Sequence, residues 1–284
     1  MRLIAATLAL SLAAAVSAHA QEEKWDARLG AVSGDVTVLA ADGSPAASGE
    51  DGMPLEEGDR VVVAEGGSAE VALDGGSLIA VREKSDFKIE KTAKADASFF
   101  LQAGALLAKI QKLGTQRLRV RTPSAVAAVR GTEFGVEAED GESHIGVFDE
   151  GKVEVTGDAG GPPELLISNQ ETSVAKGAAP VHAAQLQRFM AHRAHMRGQG
   201  RRLAAIKAKW KALPPDQRRE LRKKMMERMR ENRKKFLEKR ADTKLKLTDK
   251  QKNALDRRQQ NRRENLRKMD ERRQKIDRGG KRDR

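Results

Sequence analysis

Over most of its first two thirds the chain alternates apolar and polar residues with a period of two, the pattern of strands that bury one face. The clearest run is Leu118, Val120 and Thr122 interleaved with Arg117, Arg119 and Arg121. Pro123 ends that strand, because it has no N–H for the ladder and holds Thr122 extended. Alternation restarts at Val126, with Val126, Ala128 and Arg130 on one face and Ala127 and Val129 on the other, and Gly131 interrupts it where a bulge or close backbone approach is expected. Upstream, short apolar segments at 35–39, 61–64, 69–73, 77–81, 87–89 and 99–110 are separated by turn residues such as Glu65-Gly66-Gly67 and Asp74-Gly75-Gly76. Downstream, 135–139, the Asp140-Gly141 turn, 144–148, the Gly151 turn and 153–156 continue the series, and 165–168 closes it. Strands spaced about 8 to 12 residues apart, with no helix-length periodic segment, predict an all-β fold: a sandwich, a barrel or a solenoid.

The texture changes after the Lys176-Gly177-Ala178-Ala179-Pro180 linker. Arg, Lys, Gln, Met and Leu take over, and helices are predicted at 183–197, 201–212, 216–240 and 248–277. Glu220 with Lys224, Glu231 with Lys235, Glu264 with Lys268 and Glu271 with Lys275 are Glu-before-Lys pairs at four-residue spacing, each of which supports a solvated helix by a few tenths of a kcal/mol. The apolar stripe of these helices is thin, so they read as exposed rods without a core of their own.

Charge sharpens the division. Residues 21–180 hold 16 Lys and Arg against 28 Asp and Glu, a net of −12, while 181–284 hold 37 against 13, a net of +24. The overall +13 therefore averages two opposite fields. A basic arm tethered to an acidic domain is expected to fold back on it at low salt, because the tether keeps the effective concentration high. Residues 1–20, with Arg2, an apolar run from Leu3 to Val16 and Ala18-His19-Ala20, have the pattern of a secretory signal peptide rather than a membrane span. The chain contains no cysteine, so the exported product is held together by packing alone. The domains are thus a signal peptide (1–20), an all-β domain (21–180) and an extended basic helical arm (181–284).

The run Val120-Arg121-Thr122-Pro123, then small apolar residues, then Val129-Arg130-Gly131-Thr132-Glu133-Phe134 resembles the signature of the FecR domain, the periplasmic domain of iron-transport regulators. Segments 66–78, 104–106 and 147–153 agree with it. The resemblance covers roughly 25–175 and implies a periplasmic binding or regulatory module, with Thr122, Pro123, Arg130, Gly131, Thr132 and Phe134 as motif residues in largely structural roles. In the family this domain sits behind a sigma-factor-binding segment and a single span, neither of which is visible in this sequence. In the arm, Leu247, Thr248 and Gln251 form a staple and capping box similar to the LTxxQ motif of the periplasmic Spy and CpxP chaperone and stress-sensor family. A related string, Leu213-Pro-Pro-Asp-Gln217, lies 34 residues upstream with Pro214 in place of the threonine. That likeness implies, as the alternative function, a chaperone or envelope-stress sensor acting through the arm.

No chemical constellation competes with these readings. There is no nucleophile elbow, phosphate-cradling loop or HExxH, so neither enzyme activity nor a cofactor is expected. His192 and His195 lie three residues apart near Met190 and Met196, but no carboxylate or cysteine joins them, so no metal site is expected either. Arg130 reads as a structural arginine pairing a carboxylate such as Glu133 or Asp149, with recognition of an anionic ligand as the alternative. The β domain is expected to recognise an envelope protein or glycan, and the arm to add attachment to an anionic envelope surface, lipid or lipopolysaccharide. Nucleic acid is disfavoured, since the chain carries an export signal and the arm has only Phe189, Trp210 and Phe236 for stacking.

Overall fold

The computed structural model describes residues 23–41, 46–74, 76–111, 114, 117–194, 196, 213–228, 231–232 and 235. In chain order the strands are β1 (Ala27–Ser33), β2 (Val36–Leu39), β3 (Ala47–Ser48), β4 (Pro54–Leu55), β5 (Arg60–Val63), β6 (Ser68–Leu73), β7 (Ser77–Val81), β8 (Ser85–Lys91), β9 (Asp96–Lys109), β10 (Arg117–Arg121), β11 (Ala125–Val129), β12 (Glu133–Glu139), β13 (Glu142–Val147), β14 (Lys152–Gly157), β15 (Glu164–Ile167), β16 (Gln170–Ala175) and β17 (Ala184–Gln185). A 3-10 turn spans Met190–His192, and helix α1 covers 215–228. The fold is all-β with a short helix near its C-terminal end. None of the described helices is long and apolar enough to cross a membrane. Two compact units divide the chain, Met1–Arg222 and Lys223–Arg284.

The strands form two sheets that share β9. One runs β3-β2-β5-β8-β9-β10-β11-β14-β15, and the other β4-β1-β6-β7-β9-β12-β13-β16-β17. The first part of β9 pairs with β8 and, in parallel, with β10, while its second part pairs with β7 and β12. The passage occurs at Gly104, whose φ of +88° is open to glycine and strained for other residues. Among the described residues every strand pairing but β9–β10 is antiparallel, and seven join strands consecutive in sequence, the hairpin arrangement that the sequence signals. At the β12–β13 turn Asp140 and Gly141 both have positive φ, 46° and 80°, as the Asp-Gly pair requires.

Alternation places the core. Phe87 and Ile89 of β8, Phe99 and Leu101 of β9, Leu118 and Val120 of β10, Ala125, Ala127 and Val129 of β11, and Val153 and Val155 of β14 are all buried. Phe87 and Phe99 stack with their centroids 5.5 Å apart. Fully burying such side chains contributes about 1.5–3 kcal/mol each, which is how a domain without cross-links is stabilised.

Residues 183–197 differ from the helix expected there. Among those described, 184–185 add the edge strand β17 to β16, and helical geometry begins only at Met190. The reason is Phe189. Its ring is fully buried, lies edge-on to Phe148 at 6.3 Å and clusters with Ala80, Leu107, Leu186 and Met196. Gly135 and Gly146, direct partners across β12 and β13, make room for it: a Cβ at Gly135 would come within 2.6 Å of the ring and one at Gly146 within 2.5 Å. An anchoring aromatic in a glycine notch outweighs the modest helix propensity of the surrounding residues.

Candidate functional site

The motif region is one hairpin, β10–β11, with a chemically distinct feature at each end. At the turn end Thr122 and Pro123 close the hairpin. The Thr122 backbone N–H donates to the Ala125 carbonyl at 2.8 Å, and Thr122 Oγ1 accepts from the backbone N–H of Ala125 at 2.9 Å. Ser143 Oγ donates to Thr122 Oγ1 at 2.7 Å and lies 2.6 Å from Ser124 Oγ, so three buried hydroxyls satisfy one another. Pro123, Ser124 and Ser143 also line an open groove of about 560 Å³ whose rim carries Glu137, Glu139, Asp140 and Glu142. Those carboxylates are partly spoken for: the Arg188 guanidinium bonds Glu137 and Glu139. The hydrogen bond to Glu137, reinforced by the surrounding acidic charge, raises the Arg188 pKa above its ordinary value despite partial burial. These features fit a structural role for Thr122 and Pro123: the pair terminates β10 and ties the turn to β13.

The open end is different. Leu118 and Val129 are the last inward pair of the hairpin, so Arg117 and Arg130, one residue further, both emerge on the outer face. Val129 pairs with Val153 of β14, which brings Lys152 beside Arg130. Gly131, with φ of +120°, then turns the chain, and Thr132 fastens the neighbouring Gly151 turn. Its Oγ1 donates to the Lys152 carbonyl at 3.1 Å and accepts from the Lys152 backbone N–H at 3.2 Å. The Thr132 backbone exchanges two hydrogen bonds with Ile110, 3.0 and 3.1 Å long. Phe134, fully buried, begins the run of β12 into the core. The Arg-Gly-Thr-x-Phe string is therefore a bracket: Gly131 supplies the bend, Thr132 and Phe134 fix it, and Arg130 is displayed.

What Arg130 faces was not legible in sequence. Glu133 is paired with Lys109 and Asp149 with Arg193, so neither carboxylate expected to hold Arg130 does so. On the same outer face, Arg119 pairs with Asp96 at 2.7 Å and Arg121 with Glu90 at 2.9 Å. No carboxylate among the described residues pairs with Arg117, Arg130 or Lys152. These three line an open groove of about 710 Å³, together with Ala128, Val129, Gly131, Thr132, Glu154 and Leu165. Leu165 and Ile167 of β15 are 52% and 46% exposed, and Ile167 pairs with Lys152 across the strands. The outcome is a concave cationic surface bordered by apolar side chains on the last strand of its sheet. Sequence reasoning picked out Arg130 but missed Arg117 and Lys152, which only strand register brings to it.

Other candidate residues are placed as follows. His192 lies on the wall of the turn-end groove with its ring 6.5 Å from that of Phe189, and His195 is outside the described residues. Among the described residues no group of three or more His, Asp or Glu is placed to hold a metal ion. Leu247, Thr248 and Gln251 lie outside the described residues, as does the signal-peptide segment 1–20.

Residues 59–154, from the start of β5 into β14, match the family model described as FecR protein. Two crystal structures of a candidate anti-sigma factor from Parabacteroides distasonis ATCC 8503, at 1.65 and 2.50 Å resolution, are similar at 20% and 19% identity with TM-scores of 0.41. Each similarity covers 46% of this chain and 62% of the other, so the chain spans about three fifths of those structures. No curated protein matches the sequence. The matched stretch contains the whole β10–β11 hairpin and the Thr132 bracket. Residues 59–154 are thus similar to a FecR domain.

Proposed function

We propose that this FecR-domain chain is a non-enzymatic, periplasmic binding and regulatory module whose groove at the open end of β10–β11 captures an acidic segment of an envelope protein. One contrast supports the reading. Along the single strand β10, Arg119 and Arg121 are neutralised by carboxylates of neighbouring strands, while Arg117, in line with them, joins Arg130 and Lys152 in a groove where, among the described residues, none of the three is ion-paired and Glu154 is the one carboxylate of the lining. Three cations against a single carboxylate, beside exposed Leu165 and Ile167, are suited to an acidic and partly apolar partner segment. The export signal expected at 1–20 and the periplasmic character of FecR domains agree with a partner in the envelope.

The test is capture of envelope proteins by the full chain and by an Arg117→Ala/Arg130→Ala/Lys152→Ala variant, at low and high salt. A specific protein held by the wild type should be retained at least about tenfold less by the variant, and its retention should weaken with salt. Equal capture by the two chains would overturn the assignment of the groove.

A further inference from the structure

The arm begins with a contact that neither the FecR domain nor the cationic groove explains. Helix α1 opens with Pro214 and Pro215, and the backbone N–H of Arg218 donates to the Pro214 carbonyl at 3.0 Å. Arg218 and Arg222 are four residues apart, so they project from one face of its first turns. Arg222 reaches Asp59, 163 residues away in sequence and completely buried. One of its amino groups donates to Asp59 Oδ1 at 2.8 Å, while the other bonds Oδ2 and the Pro54 carbonyl, the latter at 3.2 Å. Arg218 meets Asp26 at 3.2 Å with both side chains largely covered.

The receiving side is built by the β domain itself. Asp59 also accepts the backbone N–H groups of Glu56 at 2.8 Å and Ala41 at 3.2 Å, which orient its carboxylate. Asp26 is held by Arg28 at 2.6 Å, and its backbone N–H donates to Asp74 at 3.2 Å. Up to Arg222 the arm's side of the contact is chiefly ionic. Between 213 and 222 the only buried side chain is that of Arg222; Leu213, Arg218 and Leu221 are half-buried and the rest are exposed. Along α1 the buried side chains are those of Arg222 and, one turn on, Met226, so the polar part of the attachment rests on a guanidinium.

We propose that Asp26 and Asp59 form a two-point guanidinium site, filled in the resting chain by its own Arg218 and Arg222. When these withdraw, the site is open to a helix of another molecule that carries arginines four residues apart. The forked, two-bond grip on Asp59 requires arginine, since a lysine ammonium brings the same charge without the planar pair of donors. Because two ion pairs anchor the attachment, the arm is an intramolecular ligand that competes with ligands in solution, its advantage set by the tether.

The experiment uses a synthetic peptide of residues 213–228 as the probe and the full-length chain as the receptor. Binding is measured by fluorescence anisotropy to the wild type and to an Arg218→Ala/Arg222→Ala variant, whose substitutions lie on the helix and change no residue of the β domain, its folding checked by circular dichroism. The variant should bind the peptide at least about tenfold more tightly than the wild type, whose site is already filled. A peptide with lysine at both positions should bind the variant at least about tenfold more weakly than the arginine peptide. Equal binding to the two chains, or no binding to either, would overturn occupancy by the chain's own arm. Equal binding of the arginine and lysine peptides would overturn the guanidinium site and leave only attraction of opposite net charges.

Discussion

Filling the glycine notch beneath Phe189 gives a test of whether the segment after residue 180 belongs to the packing of the β domain. In Gly135→Ala the new Cβ would lie 2.6 Å from one ring carbon of Phe189, 2.8 Å from a second and 3.2 Å from Leu107. The backbone tolerates alanine, because Gly135 is extended and absent from the positive-φ positions. Strain therefore falls on the ring, and forcing a methyl into a filled site costs about 1–3 kcal/mol. Deleting the ring costs more: Phe189→Ala removes a completely buried aromatic and should destabilise by about 3–5 kcal/mol. The informative measurement is the pair. Once Phe189 is alanine the methyl at 135 enters vacated space, and alanine is better than glycine in a strand, so the second substitution should then change stability by less than about 0.5 kcal/mol. Urea unfolding followed by circular dichroism would read a coupling of about 2 kcal/mol, near 1 M in midpoint for ordinary urea slopes. Additive effects, with Gly135→Ala equally costly in both backgrounds, would show that the notch does not hold the ring.

Three further outcomes follow from the geometry. Thr132→Val removes both hydrogen bonds to Lys152, leaves that N–H without its partner, and should cost about 1–2 kcal/mol by chemical denaturation while weakening partner capture at the groove. Glu57 is subject to burial, which raises its pKa, but hydrogen bonds from Lys24 and Thr92 outweigh this and hold it below its ordinary 4.5. Its contribution is present above that ordinary value and fades as pH falls through the lower folded one, so the stability gap between wild type and Glu57→Gln should narrow on acidification from about pH 5, and a constant gap would refute the linkage. Gly131→Ala forces an L side chain into φ of +120° and should destabilise by about 1–3 kcal/mol in thermal melts, with Arg130 misplaced as a result.

Much of the fold was legible because its information is local. Arg117 to Arg121 alternate strictly and form β10, Pro123 stops that strand, and Asp140-Gly141 makes the turn its dipeptide requires. Strand β16 was missed because its inward residues are Thr172 and Val174, only one of them aliphatic, among the polar Gln170, Glu171 and Ser173. The helix expected from 183 failed because propensity is weak beside one buried ring, and Phe189 announces its role only when Gly135 and Gly146 are known to be opposite each other. The same limit governs the candidate site. Arg130 stands in a recognisable string, whereas Arg117 and Lys152 become its neighbours through the register of β10, β11 and β14. The attraction between acidic domain and basic arm was visible as net charge, but not that Asp26 and Asp59 would be the residues to receive it.

Strand β9 settles how this molecule can come apart. Its fourteen residues serve as the seam of two fabrics, one gathered by Ala97 to Leu101 and the other by Ala105 to Lys109. A cut at Gly104 would part β1–β8 from β10–β17, and since both sheets draw strands from either side of it, each fragment would lose partners in both. Loss of order is expected to be cooperative across the two, and a protease that nicks this corner should destroy the domain in one event rather than release a folded half.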